Sequence, residues 1–236
     1  MDQVPTALKH SALVVRLNPG LAQRRFMVGA AGARRFSHNW ALAKIKANTE
    51  TWQTELEVGV DPKARIKPLS LVDLGKLWSK EREAVAPWYA QYPSETYNFA
   101  FRDAVVAHRN FLAGRARFPR FKKKEKTPPA FTVCFTIHLE PGSLKLSRVG
   151  MIPISAGDSH QADLRRRIRR GRSRITSARR YLHNNHWWAA LAVESEVRAQ
   201  QRPMAPVGPV VGVDLGLKIQ AVVATSGRGA ERSCPW

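Results

Sequence analysis

The sequence predicts an α+β protein, a small β-barrel or β-sandwich that is interrupted by a helical insertion of about a hundred residues. Three observations favour this class. A β-branched run opens the chain at Ser11–Leu17, apolar residues then recur at helical spacing as far as Gly114, and strand-like runs follow Phe118. An apolar fraction of 44%, with seven Trp and nine Phe, is enough to bury a core, so wholesale disorder is excluded.

The first strand leads directly into the first helix. Asn18-Pro19 marks the change, because Asn can cap a helix and Pro fits its first turn. We expect this helix to run from Leu21 to about Asn48, with Gly29 and Gly32 as a weak point at which it can break. Its predicted apolar face comprises Phe26, Ala30, Ala33, Phe36, Trp40, Ala43 and Ala47.

Two more helices complete the insertion. The segment Ser70-Leu-Val-Asp73 resembles a capping box for the second helix, and Pro87 ends that helix. The third begins after Pro93 with Ser94 as its cap, and Gly114 ends it. The predicted apolar stripes are Leu71, Leu74, Trp78 and Val85 on the second helix, and Tyr97, Phe101, Ala104, Val105, His108 and Leu112 on the third, where His108 is expected to be a core residue.

The rest of the chain has strand character. A turn at Pro141-Gly142 separates the first two predicted strands, and Asn184-Asn185 forms the turn of a hairpin between the next two. These four strands are Phe131–Leu139, Leu144–Ile154, Arg174–Leu182 and His186–Val197. On the last strand one face is apolar (Trp187, Ala189, Leu191, Val193, Val197), and Glu194 and Glu196 point away from it.

The charge of the chain is strongly positive and concentrated. There are 39 Lys and Arg residues against 18 Asp and Glu, a net charge of +21 and a pI near 11.0. Two segments, Arg115–Lys126 and Gln161–Arg180, supply +14 of this charge within 32 residues. Like charges at this density oppose compaction unless an anion is bound, and nucleic-acid phosphates are the commonest such partner. The charge therefore predicts nucleic-acid binding, with a solvated surface or a localisation signal as the alternative.

Cysteine usage and hydropathy exclude other classes. Cys134 and Cys234 are the only two cysteines, which excludes a disulfide-stapled secreted module and a four-cysteine zinc site. No apolar run approaches the roughly 18 residues of a membrane helix, and the N-terminus lacks the plan of a signal peptide. We therefore expect a cytoplasmic protein with no membrane partner. The segment His183–His186 is interpreted as a polar turn rather than as metal ligands, because no third ligand lies nearby.

An isolated carboxylate ends an apolar strand near the C-terminus. In Val210–Thr225 two apolar runs flank a turn, and the first delivers Asp214 into it. An unpaired buried charge is costly, so the position suits a divalent metal such as Mg²⁺. In RNase H-like nucleases an Asp on the first strand joins two further acids around a pair of Mg²⁺ ions. The alternative is an ordinary β-hairpin whose turn contains Asp-Leu-Gly, and the residues alone leave both open.

Four motifs in order along the chain resemble those of the TnpB/OrfB proteins, which bacterial insertion sequences encode and which are relatives of the type V CRISPR effectors. The similarity extends from about Ala12 to Thr225, and four motifs at compatible spacing are specific. The motifs are Arg35–Leu42 (RFSHNWAL), the predicted helix Pro93–Gly114 with Phe101-Arg-Asp103 inside it, Phe118–Lys124 (FPRFKKK) and Gly212–Lys218 (GVDLGLK).

The resemblance implies a domain order. Residues 1–18 and 115–199 would form a wedge-like β-barrel, and 19–114 would form a helical recognition domain inserted into it, described in older accounts as helix-turn-helix-like. Residues 200–209 are the linker, and 210–236 would begin an RNase H-like (RuvC) nuclease domain with a first β-hairpin.

The resemblance also implies partners and a cofactor. Family members use a transposon-derived guide RNA to find and cut target DNA, and Mg²⁺ serves their RuvC site. Here Asp214 would be the first catalytic carboxylate and a Mg²⁺ ligand, weak if alone. The protein would be bacterial and cytoplasmic, and associated with the nucleoid when bound to DNA.

Basic side chains and two aromatic residues are the candidate nucleic-acid contacts. Family members hold RNA and heteroduplex mainly by backbone and A-form shape, which requires Arg and Lys more than base-reading groups. The aromatic candidates for base stacking are the pair Phe118 and Phe121, while Trp187 and Trp188 are more often core positions. The candidates are Arg115, Arg117, Phe118, Arg120, Phe121, Lys122, Lys123, Lys124, Arg165, Arg166, Arg167, Arg169, Arg170, Arg172 and Arg174.

The sequence departs from the family pattern after Asp214. Only 22 residues follow it, and they contain no Cys-x-x-Cys pair and one further acid, Glu231. We therefore expect a chain truncated within its RuvC domain that binds nucleic acid without cutting it. One alternative is that another polypeptide or reading frame completes a working Mg²⁺-dependent RNA-guided endonuclease. Others are a DNA-binding regulatory module and a decayed reading frame.

Overall fold

The computed structural model describes residues 6–155, 159–198, 211–214, 221–225 and 232–234. Within these ranges ten strands and four helices follow the order β1, α1 to α3, β2 to β5, α4, and β6 to β10. Residues 8–196 form one compact unit, and the described residues from 197 onward belong to a second. The class is α+β, as the sequence predicts. The predicted linker, 200–209, lies outside the described residues.

The first helix is longer and more regular than expected. The helices are α1 (Leu21–Glu57), α2 (Leu71–Val85), α3 (Ser94–Leu112) and α4 (Ser159–Arg169). α1 continues well past Asn48 and is unbroken at Gly29 and Gly32, the point at which the sequence allowed a break. Burial of Met27, Ala30 and Ala33 on either side of the two glycines holds this part of the helix in place.

The buried face of α1 matches the prediction only in its first half. Ala30 and Ala33 are buried, whereas Phe36 is 38% exposed and Ala43 and Ala47 are exposed. The predicted stripe has a helical period, but in the second half of α1 its residues lie outside the buried side of the helix, which packs against α3. The buried apolar residues in the second half are Ala41, Leu42 and Ile45.

The ends of α2 and α3 follow local sequence signals. Ser70 N–H donates to Asp73 Oδ2 at 3.0 Å, and Asp73 N–H donates to Ser70 Oγ at 3.2 Å, so the predicted capping box is confirmed. α3 begins at Ser94 itself with Pro93 in the cap position, and Gly114 follows its end at φ +69. Of the predicted stripes, Leu74, Trp78, Tyr97, Phe101, Ala104 and His108 are buried, Val105 is half-buried, and Leu71, Val85 and Leu112 are exposed.

The strands form three separate sheets, in the orders β1-β7-β6-β2, β3-β4-β5 and β10-β9-β8. A single antiparallel bridge, Leu17 with Ile154, joins the ends of the first two. These sheets do not close into one barrel, so the barrel stays a prediction. The strands are β1 (Thr6–Leu17), β2 (Ala130–Val133), β3 (His138–Glu140), β4 (Ser143–Leu146), β5 (Gly150–Pro153), β6 (Ser173–His183), β7 (His186–Arg198), β8 (Val211–Asp214), β9 (Ala221–Thr225) and β10 (Arg232–Cys234).

Two long predicted strands are wrong because each is divided. The run Phe131–Leu139 contributes β2 to one sheet and β3 to another, and the chain changes direction between them at Thr136, whose φ is +53. The run Leu144–Ile154 becomes the hairpin of β4 and β5, with Arg148 (φ +60) and Gly150 (φ +80) at its turn. Periodicity alone cannot reveal such turns when apolar residues lie on both sides.

The hairpin of β6 and β7 is confirmed. Asn184 and Asn185 connect the two strands with φ values of +47 and +60, the left-handed pair that a two-residue turn requires. On β7 the predicted apolar face is buried at Trp187, Ala189, Leu191 and Val193. The side chain of Val197 lies outside the described residues.

The C-terminal sheet has three strands rather than the two of the predicted hairpin. β8 and β9 pair antiparallel, with Asp214 opposite Val222, and β10 pairs with the other edge of β9. The central strand β9 is therefore paired on both sides. The added strand matters because a two-stranded hairpin by itself is at most marginally stable.

Two hydrophobic clusters stabilise the unit 8–196. The first lies between the strands and the start of α1 and includes Met27, Phe131 and Leu191. The second joins α1, α2 and α3 and includes Ile45, Leu74, Trp78, Tyr97 and Phe101. None of the helices in the described part of the chain has an apolar stretch long enough to cross a membrane.

The glycines of α1 give a matched test of this packing. A Cβ at Gly29 would overlap Tyr92 Oη and lie 2.9 Å from Tyr92 Cζ, whereas a Cβ at Gly32 meets nothing within 4 Å. Tyr92 is held by Phe26 and Trp88, so its ring cannot move freely. We expect Gly29→Ala to lower the free energy of unfolding by about 1–3 kcal/mol. Gly32→Ala should raise it by about 0.5–1 kcal/mol because Ala favours helix. Urea denaturation measures both, and shifts of the same sign would contradict the close approach of Tyr92.

Candidate nucleic-acid interface

A basic groove lies where α1, α3, β6 and the segment 119–128 meet, and we call it the central groove. Its volume is about 1010 Å³. Its basic lining residues are Arg34, Arg102, Arg120, Lys122 and Arg179, and Asp103 is the only acid among the described residues that line it. Five cations around one carboxylate make a site that attracts phosphate.

The carboxylate of the central groove, Asp103, forms an ion pair with an arginine that lines the same groove. Arg34 Nη2 of α1 forms an ion pair with Asp103 Oδ2 of α3 across the helix interface. The Arg34 residue is only 8% exposed. Burial lowers the pKa of the Arg34 guanidinium, and the Asp103 charge opposes that shift. Asp103 thus stabilises a buried cation, and the remaining basic side chains face the groove with no second acid on its walls.

A side-chain amide holds the first basic segment against α1. Asn39 Nδ2 donates to the carbonyl oxygen of Lys122 at 2.9 Å, and the Lys122 N–H donates to Asn39 Oδ1 at 2.8 Å. This pair satisfies both backbone groups of Lys122 at a half-buried position, where unpaired groups would be costly. The clamp therefore fixes where the basic run Lys122–Lys124 leaves the helical core.

Lys122 is the titratable cation of the groove. Burial, followed by the nearby charges of Arg34 and Arg179, lowers the pKa of Lys122 to about 8, while Asp103 acts in the opposite direction. His38 also lines the groove, and burial lowers its pKa to about 4, so it is neutral near pH 7. A bound phosphate would favour the charged form of Lys122.

The first predicted basic segment is mostly exposed. Phe121 is 48% exposed and stays a stacking candidate. Phe118 instead packs its ring on Phe111 and His108, with centroid distances of 5.1 Å and 6.0 Å, so it serves packing in this structure. The exposed basic side chains of the segment are Arg115, Arg117, Arg120, Lys123, Lys124 and Lys126.

The second basic segment forms a helix that the sequence analysis did not predict. Leu164 is 2% exposed and Ile168 packs beside it, so one side of α4 is anchored in the first hydrophobic cluster. Gly171, at φ +68, ends the helix and leads into β6. Arginines fill the other sides of α4, where Arg166 and Arg169 are exposed and Arg165 and Arg167 are half-buried. After the end of the helix, Arg170, Arg172 and Arg174 are also exposed.

Two of these arginines have acidic partners. Arg167 Nε lies 3.1 Å from Asp163 Oδ2, and Arg174 Nη2 lies 2.6 Å from Glu194 Oε2. Arg165, Arg169 and Arg174 also line a groove of about 540 Å³. The second segment therefore presents a basic helix face that is separate from the central groove.

Several residues of the central groove are absent from the contacts predicted from the sequence. Arg34, Arg102 and Arg179 lie outside the residues singled out as contacts, although Asn39 and Asp103 lie inside the quoted motifs. The sequence signal that could have located the groove is the set of family motifs. Residues of three of them, Arg35–Leu42, Phe101-Arg-Asp103 and Phe118–Lys124, meet there. Of the other aromatic candidates, Trp187 is buried and Trp188 is half-buried.

The described residues do not by themselves make a magnesium site. Asp214 is the last residue of β8, and its side chain lies outside what the structure describes. Among the described residues no three His, Cys, Asp or Glu side chains cluster as metal ligands. A pair of Mg²⁺ ions needs several carboxylates, and one Asp does not supply them.

Comparison with known proteins points to one group. No family model matches the chain. "Putative RNA-guided DNA endonuclease Rv2885c" of Mycobacterium tuberculosis (strain ATCC 25618 / H37Rv) is 28% identical over 240 residues, 94% of this chain and 50% of that protein. "Putative RNA-guided DNA endonuclease InsQ" of Escherichia coli (strain K12) is 28% identical over 209 residues, 87% of this chain and 45% of that protein. The chain thus spans about half the length of the curated relatives it matches.

One solved structure also aligns with the chain. The cryo-EM structure of the Cas12f1-sgRNA-target DNA complex covers 98% of this chain and 66% of that chain, at a TM-score of 0.34 and 11% identity. A TM-score this low assigns neither fold nor function.

The pKa of Lys122 leads to a pH test. A phosphate in the central groove binds the charged form, so the contribution of Lys122 to affinity is full below pH 7 and falls as pH rises through about 8. We expect the affinity for a labelled duplex oligonucleotide to drop about tenfold from pH 7 to pH 9. Lys122→Arg should flatten this profile because arginine stays charged. Fluorescence anisotropy at constant ionic strength measures it, with Lys123→Arg as the matched control. An unchanged profile in Lys122→Arg would place the phosphate elsewhere.

Proposed function

Since the chain belongs to the TnpB/OrfB family, we propose that it binds a transposon-derived guide RNA and the target DNA that this RNA selects. The relatives that support this are named RNA-guided DNA endonucleases, and they match almost the whole of this chain. The observation that carries the proposal is the central groove, where basic side chains from four separate segments converge around one carboxylate.

The chemistry of the groove suits a nucleic-acid backbone. Its cations are mainly arginines, whose planar guanidinium forms paired hydrogen bonds with phosphate oxygens. Backbone contacts fix position without reading sequence, which is sufficient when base pairing with an RNA supplies specificity. The Asn39–Lys122 clamp and the Arg34–Asp103 pair hold the walls in place before any ligand binds.

The arginines of α4 offer a second contact surface. Arg166 and Arg170 are one helical turn apart and exposed, and Arg169 and Arg172 lie beside them. We assign this face to the guide RNA scaffold, since scattered arginines on a helix can contact several phosphates of a folded RNA. Phe121, exposed beside Lys122–Lys124, would stack on a base at the edge of the central groove.

We propose that this chain, taken by itself, binds without cutting. Its RuvC-like part contributes Asp214, and the described residues give that carboxylate no metal-ligating cluster. The second candidate is a Mg²⁺-dependent RNA-guided DNA endonuclease in which another polypeptide or reading frame supplies the remaining acids, and the names of the relatives favour it. Under either proposal the protein acts in the bacterial cytoplasm, at the nucleoid when bound to DNA.

Neutralising the central groove tests the binding mode. The triple variant Arg102→Gln, Arg120→Gln and Arg179→Gln changes exposed side chains only, so the fold should persist. If each arginine contacts a phosphate, the slope of log affinity against log salt should become shallower by about 2–3. The matched control is Arg25→Gln, Lys63→Gln and Lys145→Gln, three exposed positions outside the groove. Equal slopes for the two triple variants would remove the groove from the interface.

A cleavage assay tests the second part. The purified chain is incubated with Mg²⁺, the RNA transcribed from its own transposon end and a matching DNA target, and both RNA retention and DNA cleavage are measured. We expect retention of the RNA, no cleavage, and unchanged binding in Asp214→Asn. Specific cleavage that Asp214→Asn abolishes would overturn the claim that this chain binds without cutting. Failure to retain that RNA while duplex DNA binds would favour a DNA-binding regulatory module instead.

A further inference from the structure

A second basic groove is lined by described residues that all lie outside the two predicted basic segments, and we call it the tyrosine groove. It is bounded by α2, the 3₁₀ turn Tyr89–Gln91, the start of α3 and the turn between β4 and β5. Its volume is about 860 Å³, within the size range of sites that hold ligands about as large as one or two nucleotides. It shares no lining residue with the central groove.

The described residues that line the tyrosine groove carry positive charges and no negative charge. Lys76, Lys80, Arg82 and Arg148 line it, and no Asp or Glu is among the described residues that do so. Lys76 and Lys80 are four residues apart on α2, an arrangement that weakens a helix through like-charge repulsion. Of the acids on α2, Glu81 accepts hydrogen bonds from Lys44 and Trp40 at 2.7 Å and 3.1 Å, whereas Asp73, outside the lining, lies close enough to Lys76 for their charges to interact.

Arg148 is held at the edge of the groove in a strained conformation. Its φ is +60, in the left-handed region that non-glycine residues seldom adopt. Its guanidinium Nη1 donates to the carbonyl oxygen of Ala90 at 2.6 Å, which ties the β4–β5 turn to the 3₁₀ turn. Arg148 is thus a cation in a fixed position at a groove with no acid among its described lining residues. This arrangement favours the binding of an anion.

Aromatic rings line the same groove beside the cations. Tyr89 and Tyr92 are half-buried, and the Arg82 guanidinium lies 4.5 Å from the centroid of the Tyr89 ring. Tyr97 Oη donates to the carbonyl oxygen of Tyr89 at 2.5 Å and so fixes the backbone that carries it. Ser79, Ser94 and Asn98 add polar groups to the wall.

Rings beside cations favour unpaired nucleotides over a duplex. Bases in a duplex are stacked on one another, and their faces cannot reach a side chain, whereas an unpaired base can stack on an aromatic ring while its phosphate contacts lysine or arginine. An acidic peptide would use the cations but would leave the tyrosines without a role.

We propose that the tyrosine groove binds an unpaired stretch of RNA, with its phosphates on Lys76, Lys80 and Arg148 and a base against Tyr89. This inference rests on the proposed function only in that the RNA is taken to be the guide. It adds a site for single-stranded nucleotides on the helical part of the chain, away from both basic segments.

The test compares two RNA probes on the full chain. The probes are a labelled oligouridylate, which stays unpaired, and a fully paired RNA duplex of the same charge. The variants are Lys76→Gln with Lys80→Gln, and Tyr89→Leu, and the matched control is Lys63→Gln with Lys145→Gln, at exposed positions outside the groove. Thermal melting followed by circular dichroism confirms that each variant is folded.

We expect the lysine variant to bind oligouridylate at least tenfold more weakly than the control variant, with less than a twofold change for the duplex. Tyr89→Leu should weaken oligouridylate binding about fivefold or more, the effect of losing one stacked base. Ultraviolet cross-linking of oligouridylate should map to the peptide that contains Tyr89 and Tyr92.

The outcomes separate the two proposals. Variants that bind both probes like the wild type would overturn the tyrosine groove and leave the proposed function standing. Equal losses for both probes would also overturn it, because they indicate a general electrostatic effect. A wild-type chain that binds neither probe would overturn the proposed function and, with it, this site. An acidic peptide is added to the same assay as a competitor, and tighter binding of this peptide than of oligouridylate would overturn the RNA proposal and assign the groove to a protein partner.

Discussion

The continuity of α1 is the constraint on which the rest of the structure depends. Its first turns, at Met27 and Ala30, complete the cluster between the strands, and its later turns, at Ala41 and Ile45, complete the cluster between the helices. A break at Gly29 or Gly32 would separate the two clusters. Tyr92 packs against both clusters and lies directly against Gly29, so the absence of a side chain there lets Tyr92 approach α1 closely.

Among the described residues of this highly charged chain two arginines are buried, one on α1 and one on β6. Arg34 on α1 is buried and paired with Asp103, and on β6 Arg180 is fully buried over the Phe131 ring at 4.1 Å. Burial lowers the pKa of Arg180 to about 9, and the charge of Glu95 opposes that shift. Within the described part of the chain none of the three guanidinium nitrogens of Arg180 has a hydrogen-bond partner. The Phe131 ring and the negative charge of Glu95 therefore stabilise this cation. Each buried arginine is thus stabilised by its own neighbours, Arg34 by Asp103 and Arg180 by the Phe131 ring and the charge of Glu95.

Local signals in the sequence predict much of the fold, and long-range contacts account for what they miss. Ser70 with Asp73 and Asn184 with Asn185 are short-range chemistry, and both were predictable. The division of Phe131–Leu139 between two sheets depends on pairing of β2 with β6, about fifty residues away. α4 escaped prediction because its arginines obscure a stripe of only two apolar anchors, Leu164 and Ile168. Charge composition located the segment that contains Arg179 but singled out neither Arg179 nor Arg34, whose place in the groove depends on their neighbours in space.

Three of the four motifs that carry the family resemblance, Arg35–Leu42, Phe101–Asp103 and Phe118–Lys124, form one site rather than separate features. Asn39 of the first motif holds the backbone of Lys122 in the third, and Asp103 of the second holds Arg34 just before the first. The Asn39 amide therefore pairs the backbone groups of Lys122, and the Asp103 carboxylate pairs the buried Arg34. Because these contacts join residues 69 and 83 positions apart, changing one motif exposes an unpaired group in another. Their joint presence in one chain follows from this mutual dependence, and it places the central groove at the point where they meet.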